Sequence, residues 1–539
     1  MGRSERNEQI FAPCQEACPA GIDVPRYIRQ IQNGNFDEAL ATVRERIPFP
    51  SVCGYACVAF CESRCARIQY DDALAIRLLK RAAAEHGSDD IRRENSSPSN
   101  KKVAIIGSGP GGLTAAYYCA VKGHDVTVFE SMPEAGGMLR YGIPEYRLPN
   151  AILDKEIAYI EKQGVKILTN TKVESAGELK QKGFDAILVA SGAWNAQKTG
   201  IHGEDSDKVI DGISFLTSVN TGKKPGIGRR VVVVGGGNTA IDAARASLRM
   251  GSEVRILYRR TIQEMPASNE EIEDALSEGA VIEYLTAPVQ ISDSGVDCVK
   301  MELGSFDSSG RPRPVPVEAS QYRVECDTVI MAIGQSADVE SIGLASDKNG
   351  TAAVDPNSLA TAKDGIFAAG DAVSGPSSII EAIAQARKAS SSIDIYLGGD
   401  GVIDEQVKNV SDNEAQEPEV RGTCRFAAEK LRLKDYSGEF SLTEKGYGRD
   451  TAMKEARRCL SCDLRDYTVE VDFVLCKDCG YCKEVCTLGV FQRLDKYNPA
   501  GYRPMSAEKT ERCIGCLNCL YTCPDFAIHI RKEPMAHNA

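Results

Sequence analysis

A short apolar segment that ends in closely spaced glycines constrains this chain more than any other feature of its sequence. Residues 103–112 read VAIIGSGPGG, so an apolar run leads into a GxGxxG pattern from Gly107 to Gly112. The run is typical of a buried parallel strand, and the glycines are typical of a tight turn into a helix whose N-terminus binds a pyrophosphate. A second predicted strand, residues 125–129, is followed by Glu130, an acid at the position that binds a ribose hydroxyl. These residues predict a Rossmann-like domain that binds FAD.

Three later segments extend the predicted flavin site. Residues 136–144 (GGMLRYGIP) form a glycine-rich loop, and residues 184–192 (FDAILVASG) predict another buried strand. Residues 365–371 (GIFAAGD) end in an aspartate placed to bind the ribityl chain or a phosphate. The helix predicted in residues 377–390 directs the positive end of its dipole at the flavin N1/C2 oxygen, unless it is a plain surface helix. The candidate flavin contacts are Gly107, Gly109, Gly111, Gly112, Glu130, Gly137, Leu139, Arg147, Gly370 and Asp371.

A second copy of the strand–turn–helix pattern begins at residue 231. Residues 231–244 read VVVVGGGNTAIDAA, with alanine in the third glycine position. The following strand, residues 253–257, ends in Tyr-Arg-Arg where the first copy has an acid. Arginines favour the 2′-phosphate of NADP through charge-assisted bonds, so we expect NADP(H) in preference to NAD(H). The alternative is a solvated strand end. The candidate nicotinamide-nucleotide contacts are Gly235, Gly237, Asn238, Thr239, Ala240, Arg259 and Arg260.

Charge and cysteine content limit the class of protein. The chain has 539 residues, 20 cysteines, a net charge of −12 and a pI of about 5.2, which argues against a nucleic-acid partner. We find no long apolar run and no signal-peptide pattern, so we expect a cytoplasmic protein without membrane insertion. Sixteen cysteines stand in short-spaced groups near the two ends, a pattern that favours metal-cluster ligation in a reducing compartment over disulfides. The isolated cysteines are interpreted as inert small hydrophobes, and they are Cys119, Cys298, Cys326 and Cys424.

The N-terminal cysteines recur at intervals of four. Helical patterns cover residues 25–46 and 74–84, and cysteines four apart lie on one helix face or along a tight coil, where they converge on one metal centre. The alternatives are buried thiols in a helical domain and a zinc site, although zinc sites usually pair CxxC knuckles. The six cysteines are Cys14, Cys18, Cys53, Cys57, Cys61 and Cys65.

The C-terminal cysteines carry the most specific signal in the chain. A Cys459-x2-Cys462 pair precedes two runs of the form C-x2-C-x2-C-x3-C, which is the bacterial ferredoxin signature. In that signature the fourth cysteine of each run binds the other cluster. The first predicted ligand set is therefore Cys476, Cys479, Cys482 and Cys523, and the second is Cys513, Cys516, Cys519 and Cys486. Thr487 departs from the proline that usually follows the first run, which leaves the local turn open.

Taken together, the chain resembles the small subunit of glutamate synthase and its relatives. These include the cluster-bearing N-terminal half of dihydropyrimidine dehydrogenase and the large subunit of the bifurcating NADH-dependent ferredoxin:NADP oxidoreductase. The resemblance covers residues 13 to about 397, and the tail resembles a fused two-cluster ferredoxin. It rests on residues 12–28 (APCQEACPAGIDVPRYI), residues 136–149 (GGMLRYGIPEYRLP), YRR with residues 264–267 (EMPA), and GIFAAGD.

The resemblance also implies how the N-terminal clusters are bound. Members of the family usually carry Arg-Cys-Leu-x-Cys just before APC, but here RCLSCD stands at residues 458–463. We hypothesise that this half-site folds back, so that one cluster is bound by Cys14, Cys65, Cys459 and Cys462. The other would use Cys18, Cys57 and Cys61 with a fourth ligand. Some relatives use Gln or Glu there, while this chain has Lys80, a poor ligand, so Cys53 is the candidate. The alternative is that Cys459 and Cys462 form a structural pair ahead of the ferredoxin domain.

These patterns predict a multidomain fold. We expect an α-helical iron–sulfur domain (1–97), two Rossmann-like α/β domains and a C-terminal α+β bacterial-ferredoxin-like domain (466–539). The FAD domain would comprise residues 98–220 and 329–400, around a NAD(P) domain at residues 221–328. A linker (401–450) and the folding-back CxxC segment (451–465) would follow. The predicted cofactors are FAD, NADP(H) and four [4Fe-4S] clusters, of which the two C-terminal ones are the better supported.

The expected chemistry is electron transfer. Hydride would pass from the nicotinamide to flavin N5, and single electrons would leave through the clusters, so no catalytic acid or base residue is needed. We predict an NADPH-linked oxidoreductase subunit that exchanges electrons with ferredoxin or other redox subunits of a complex, with bifurcation or transhydrogenation as an option. One alternative is a glutamate synthase small subunit that delivers electrons to a large subunit. Another is an electron-relay module with a vestigial nicotinamide site.

Overall fold

The N-terminal region, residues 11–88, is helical. The computed structural model of the protein describes residues 11–88, 95–307, 310–403, 424–431, 440–464 and 467–532. The predicted helical patterns are confirmed, with a break between the second and third helices. The helices are α1 (Pro13–Glu16), α2 (Val24–Gln32), α3 (Phe36–Arg44), α4 (Pro50–Ala56), α5 (Phe60–Ser63) and α6 (Ile76–His86). Residues 89–94, near the end of the predicted 1–97 domain, lie outside the described residues.

The first α/β unit contains a parallel five-stranded sheet. Its elements are β1 (Lys102–Ile106), α7 (Pro110–Val121), β2 (Asp125–Phe129), α8 (Met138–Tyr141), α9 (Asn150–Glu161), β3 (Lys166–Leu168), α10 (Ala176–Gln181), β4 (Ala186–Val189), β5 (Asn195–Ala196), β15 (Gln335–Ser336), β16 (Ile366–Ala368), α14 (Asp371–Ser374) and α15 (Ile379–Tyr396). The strand order is β16-β4-β1-β2-β3, and β15 pairs with β5 apart from the sheet. The apolar strands are buried because helices cover both faces.

The second α/β unit repeats this architecture. Its elements are β6 (Val209–Asp211), α11 (Gly212–Asn220), β7 (Arg230–Val234), α12 (Asn238–Arg249), β8 (Glu253–Leu257), α13 (Asn269–Ser277), β9 (Val281–Glu283), β10 (Thr286–Ser292), β11 (Gly295–Phe306), β12 (Pro312–Pro316), β13 (Tyr322–Val324) and β14 (Thr328–Met331). The parallel sheet has the order β6-β14-β7-β8-β9, and β10 to β13 form an antiparallel sheet beside it.

Strand pairing corrects two predicted domain boundaries. β14 pairs in parallel with both β6 and β7, so the strands at each end of the predicted 221–328 domain share one sheet. Residues 209–220 and 329–331 therefore belong to the second unit and not to the FAD domain. The prediction failed because an apolar run such as β14 looks the same in either sheet, and only its hydrogen-bonding partners decide where it belongs.

The chain then returns to the N-terminal region before its C-terminal segment, residues 467–532. α16 (Arg449–Arg457) packs against α2 and α6. Of the predicted linker, residues 404–423 and 432–439 lie outside the described residues. The C-terminal segment has two antiparallel pairs, β17 with β20 and β18 with β19. Its elements are β17 (Tyr467–Val471), α17 (Tyr481–Val485), β18 (Phe491–Arg493), β19 (Met505–Ala507), α18 (Asn518–Thr522) and β20 (Ile528–Lys532).

One hydrophobic core joins the N-terminal region to the first α/β unit. It includes Val52, Tyr118, Ile383 and Ala456, which come from four different parts of the fold. Glu156 of α9 reinforces this junction because its carboxylate accepts hydrogen bonds from the first backbone N–H groups of α4, at 2.7 and 3.0 Å. The N-terminal region is therefore fixed on the unit that carries the first glycine-rich turn. Among the described helices, none is both long and apolar enough to cross a membrane.

Candidate functional site

The first glycine-rich turn has no room for side chains at two of its glycines. A Cβ on Gly112 would lie 1.9 Å from the carbonyl oxygen of Gly107, and one on Gly107 would lie 2.4 Å from that of Ala190. Gly107 also has a φ of 100°. At Gly109 a Cβ would meet nothing within 4 Å. The turn is thus packed on its inner side and open on the other, as expected where backbone N–H groups approach a phosphate.

A cleft of about 250 Å³ opens at this turn. Glu130 stands in its wall, where its carboxylate accepts hydrogen bonds from Ser108 N at 2.9 Å and Met132 N at 2.7 Å. The predicted contacts in the lining are Gly107, Gly109, Gly111, Glu130, Gly137, Gly370 and Asp371. Ser191 and Trp194 also line the cleft and were missed by the sequence prediction. Because Ser191 Oγ is buried without a hydrogen-bond partner among the described residues, the cleft fits a polar ligand.

The first turn of helix α15 borders the cleft. This turn carries a capping box in which the Glu381 carboxylate accepts from Ser378 N at 3.0 Å. Asp371, the first residue of α14, accepts from Ser377 N at 3.1 Å and Ser377 Oγ at 2.9 Å. Burial raises the pKa of Asp371, although the Ser377 bonds lower it. α15 packs against α7 and its residue Ile383 is fully buried, so α15 is not a plain surface helix.

The second glycine-rich turn differs from the first at its strand end. Ala240 fits at the third position, and the ring of Tyr258 covers Gly236 closely. The two arginines that follow do not act alike. Arg259 is exposed, whereas Arg260 is buried and donates to the Pro312 carbonyl at 2.8 Å. Arg260 also pairs with Asp307 at 3.0 Å. The Arg260 guanidinium therefore fixes the end of β8 to the antiparallel sheet, and Arg259 is the arginine that faces solvent.

Predicted contacts of both nucleotides meet in one cavity of about 200 Å³. The lining includes residues of α8 and α15 from the first unit and the start of α12 from the second. The predicted residues among them are Leu139, Arg147, Asp371, Asn238 and Thr239. Ala56 and Val58, on either side of Cys57, line the same cavity. The fold thus places both nucleotide motifs and the two residues that flank Cys57 around one space.

Arg147 connects the two α/β units at this cavity. Its guanidinium contacts Asp242 at 2.7 Å and Glu271 at 2.8 Å, both from the second unit. Burial raises the pKa of Asp242 to about 6, although Arg147 lowers it. Asp242 Oδ1 is buried without a hydrogen-bond partner in the described part of the chain, and the residue lines the cavity. The sequence indicated Arg147 only through the flavin loop, and it gave no signal for Asp242.

Cysteines from the two ends of the chain lie together. Cys14 neighbours Cys462, Cys65 and Cys459, and we call these four the outer cysteine group. Burial raises the pKa of the Cys14 thiol, and the three neighbouring sulfurs raise it further. Backbone N–H groups stand 3.5 Å from the sulfurs of Cys65 and Cys459. Such N–H···S bonds favour the thiolate, which is the form that binds a metal.

Buried polar contacts hold the segment that carries Cys459 and Cys462. Arg29 of α2 pairs with Asp463 at 2.7 Å. Glu455 of α16 accepts from Ala75 N at 2.9 Å and pairs with Arg458 at 2.7 Å. Arg67 donates to the carbonyl of Arg458 at 2.8 Å. The segment therefore folds back onto the N-terminal region rather than standing apart with the C-terminal segment.

The remaining N-terminal cysteines surround a lysine. Cys18, Cys57 and Cys61 line a small cavity together with Lys80 of α6, and we call the three thiols the inner cysteine group. Cys53 is fully buried and does not line this cavity. Burial lowers the pKa of the Lys80 ammonium, but the nearby thiols raise it above its ordinary value, Cys57 most and Cys53 next, followed by Cys61 and Cys18. The inner and outer groups are adjacent, because Cys61 also acts on the pKa of Cys14.

The C-terminal cysteines form two neighbourhoods. Burial, and after it the neighbouring cysteines, raise the pKa values of Cys482 and Cys519 to about 12. The neighbours of Cys482 are Cys476, Cys479 and Cys523, and those of Cys519 are Cys513, Cys516 and Cys486. These are the spatial groupings that the spacing predicts. Among the described residues, no three or more His, Cys, Asp or Glu side chains are arranged to hold a single metal ion.

The second of these neighbourhoods faces the N-terminal region. Leu460 and Ile514 share a buried apolar cluster, against which Cys462 and Cys516 pack. Gln69 donates to the Thr487 hydroxyl and accepts from Asn518 Nδ2 at 3.0 Å. The threonine that replaces the usual proline therefore makes a contact between regions, and Gly489 N still closes a turn onto the Cys486 carbonyl at 3.1 Å.

Comparison with protein families identifies the central part of the chain. The model described as pyridine nucleotide-disulphide oxidoreductase matches residues 101–386, slightly more than half of the chain. The chain belongs to the pyridine nucleotide-disulphide oxidoreductase family. A second model, described as dihydropyrimidine dehydrogenase domain II, 4Fe-4S cluster, matches residues 7–90. The predictions of a pyridine-nucleotide oxidoreductase and of an N-terminal iron–sulfur domain are thus confirmed.

Several relatives of this oxidoreductase cover most of its length. It is 39% identical to the NADP(+)-dependent formate dehydrogenase subunit beta of Moorella thermoacetica, over 84% of this chain and 71% of that one. It is 38% identical to the NADPH-Fe(3+) oxidoreductase subunit beta of Geobacter sulfurreducens, over 84% and 75%. The glutamate synthase [NADPH] small chain of Azospirillum brasilense is 31% identical, over 73% and 88%. The predicted resemblance to the glutamate synthase small subunit and its relatives is confirmed.

A solved structure supports the fold of the two α/β units. FprA of Mycobacterium tuberculosis, in complex with NADPH, superposes with a TM-score of 0.50 and 20% identity, over 56% of this chain and 85% of that one. The predicted pair of Rossmann-like domains is thus confirmed as a fold.

Proposed function

We propose that this oxidoreductase subunit takes hydride from NADPH onto FAD and passes single electrons to iron–sulfur clusters at both chain ends. The observation that carries the proposal is the cavity between the two α/β units. It is lined by predicted flavin contacts, by predicted nicotinamide contacts, and by the residues on either side of Cys57. Donor, flavin and first acceptor would then adjoin one space. When bound, the flavin supplies the exchange between two-electron and one-electron chemistry.

The chain's own residues position the two nucleotides. The first turn and Glu130 would hold the adenosine half of FAD, and Asp371 would accept a hydrogen bond from its ribityl chain. The N-terminus of α15 places its positive dipole end at the same cavity. Arg147 keeps the two units in register through Asp242 and Glu271. Because most of these side chains are buried, the cavity excludes much of the bulk water around the reacting rings.

The nicotinamide site would prefer NADPH. Arg259 follows β8, where an acid would instead favour NAD, and its side chain is exposed toward solvent. An arginine forms charge-assisted bonds with a 2′-phosphate. The names of the relatives from Moorella thermoacetica and Geobacter sulfurreducens also refer to NADP(+) and NADPH. Arg260 would act indirectly, by fixing the end of the strand through Asp307 and Pro312.

We infer that electrons follow the cysteine groups in a fixed order. The inner group adjoins the flavin cavity through Cys57, and the inner and outer groups are neighbours. Cys462 of the outer group packs against the same apolar cluster as Cys516. The order would be the inner group, the outer group, the group around Cys519, and then the group around Cys482. The thiol-only donor set and the N–H···S bonds fit four [4Fe-4S] clusters, with the C-terminal segment as a ferredoxin-like domain.

The last group in this order supplies the outlet. Cys479 is exposed, as are Tyr481, which follows it closely in sequence, and Phe526, which follows Cys523 of the same group. Since relatives are named as beta subunits, a partner subunit or ferredoxin would receive electrons there and carry the substrate chemistry. Final acceptor and direction of flux would be properties of that complex.

Rapid mixing under anaerobic conditions tests the proposal. Flavin absorbance should bleach within one turnover when the full chain is mixed with NADPH. With NADH, the same bleaching should require much higher nucleotide concentrations. Cluster EPR signals should then appear as the flavin reoxidises. If neither nucleotide bleaches the flavin, the nicotinamide site is vestigial and the chain is an electron-relay module.

An arginine variant tests the nucleotide preference. Arg259→Ala should raise the NADPH concentration needed for half-maximal bleaching by about tenfold to a hundredfold, because a bond to a charged group contributes roughly 1.5–3 kcal/mol. The NADH dependence should stay unchanged. Arg255→Ala is the matched control, since Arg255 lies on the same strand and pairs with Glu283. Equal effects of Arg259→Ala on both nucleotides would contradict the role of Arg259.

A further inference from the structure

The cavity at the inner cysteine group contains three thiols and one cation. Cys18, Cys57 and Cys61 stand around it, and Lys80 enters from α6. The apolar side chains of Ile22 and Ile380 close the cavity. Cys53, the fourth thiol nearby, lies in the hydrophobic core and does not line it. Lys80 therefore brings an amine to the same cavity as the three thiols.

Lys80 differs from the other buried cations of its helix. Arg77 pairs with Glu444 at 2.8 Å, and Arg81 pairs with Glu85 at 2.7 Å. Lys80 is only 4% exposed, and among the described residues its ammonium has no carboxylate, carbonyl or hydroxyl partner. A buried charge without a partner is strongly unfavourable, so an anionic group in the cavity must offset it. In the cavity lining the three thiols can supply this charge as metal-binding thiolates, whereas the Tyr27 hydroxyl donates to the Ile76 carbonyl at 3.3 Å. The Cys53 thiol also raises the pKa of Lys80, but it lies outside the lining.

We propose that the inner cluster is bound by Cys18, Cys57 and Cys61 alone, with the Lys80 ammonium as its electrostatic partner in place of a fourth protein ligand. This rests on the proposed function, in which a cluster occupies the inner group. Cys53 is then a core residue and not a ligand.

The proposal predicts a difference between neighbouring clusters. A cluster with three thiolates and an adjacent cation has a less negative total charge than one with four thiolates. Reduction potential depends on net charge, so the inner cluster should accept an electron at a higher potential than the outer one. Lys80 thus favours transfer of the first electron from the flavin to the inner cluster over transfer to the outer cluster.

EPR-monitored redox titration of the anaerobically purified full chain tests this role. Lys80→Gln should keep the iron content and lower the midpoint potential of the inner cluster, because it removes the charge while keeping a polar side chain. Lys80→Arg should keep both iron and potential near those of the unaltered chain. Lys182→Gln, an exposed lysine on the first α/β unit, should change neither. Cys53→Ser should leave iron content and EPR signals unchanged.

Two results would overturn the proposal. One is an inner-cluster potential that is the same in Lys80→Gln and the unaltered chain, and the other is loss of the cluster in Cys53→Ser. If Lys80→Gln loses iron, Lys80→Arg decides: retention of the cluster at an unchanged potential supports the role of charge, and loss in both variants contradicts it. Bleaching by NADPH is measured in each variant, so a failure of the proposed function appears as absent bleaching and not as an unaltered potential.

Discussion

The two cysteine groups of the N-terminal region are neighbours, yet they are assembled in different ways. The inner group takes all three thiols from residues 18–61, on short helices and turns that follow one another in the chain. The outer group joins Cys14 and Cys65 to a pair from the far end of the chain. Arg67 and Arg458, which contact each other beside that group, are 391 positions apart in sequence.

The two cysteine groups therefore depend on different interactions. The inner group depends mainly on the packing of helices close together in sequence, with Ile380 of α15 and the buried Lys80 lining the same cavity. The outer group needs α16 to dock on α2 and α6, and this docking relies on buried charges that are paired across the interface. Weakening that interface should therefore disrupt the outer group while the inner group persists.

The largest effect is expected for Glu455→Ala. Glu455 is fully buried and accepts hydrogen bonds from two backbone N–H groups as well as pairing with Arg458. Its removal leaves Arg458 with fewer partners in the interior, so the free energy of local opening of α16 should fall by about 3–5 kcal/mol. Hydrogen exchange of α16 measures this. Glu161→Ala, an exposed helical glutamate, is the control, and equal exchange in the two variants would argue against docking by buried charge.

A smaller effect is expected for Arg29→Met. The Arg29 side chain is 1% exposed, but its partner Asp463 is 17% exposed and keeps some contact with water after the pair is broken. The same opening free energy should fall by roughly 2–3 kcal/mol, below the value for Glu455. Arg323→Met, which breaks the exposed pair with Asp297, should change it by no more than about 0.5 kcal/mol. A ranking of Arg29→Met above Glu455→Ala would contradict this account of the interface.

The smallest effect is expected where the outer group faces the C-terminal segment. Thr487→Val removes one hydrogen bond from Gln69, which is worth about 1 kcal/mol, so iron content should not change. Reduction of the C-terminal clusters by NADPH, followed by rapid freezing and EPR, should slow because the two regions dock less tightly. Thr487→Ser keeps the hydroxyl and should behave like the unaltered chain. Unchanged kinetics in Thr487→Val would mean that this contact does not set the distance for electron transfer.

The sequence predicts the parts of the site that depend on local geometry. Both glycine-rich turns, β2 and β8 follow from periodicity and from the space that Gly107 and Gly112 require. Family resemblance and spacing also predict which cysteines become neighbours. The fold-back was a hypothesis from a displaced RCLSCD motif, and the structure brings Cys459 and Cys462 beside Cys14.

The remaining features depend on contacts between distant residues. Arg259 and Arg260 look equivalent in sequence, but Asp307 and Pro312 from another strand bury only the second. The place of β14 depends on its partners β6 and β7. Cys53 and Lys80 could not be ranked as fourth neighbours of the inner group from spacing, because packing of α4 and α6 turns Lys80, and not Cys53, toward the cavity.

The central claim is that the two ends of the chain bind one cluster beside the flavin domain. Iron content and EPR spectra of Cys459→Ser/Cys462→Ser test it most directly, with Cys424→Ser, an exposed isolated cysteine, as the control. The account predicts loss of about a quarter of the iron and of one cluster signal. The inner-cluster signal and the bleaching of flavin by NADPH should remain, while reduction of the C-terminal clusters becomes slow. Iron content and EPR signals identical to those of the control would contradict the claim.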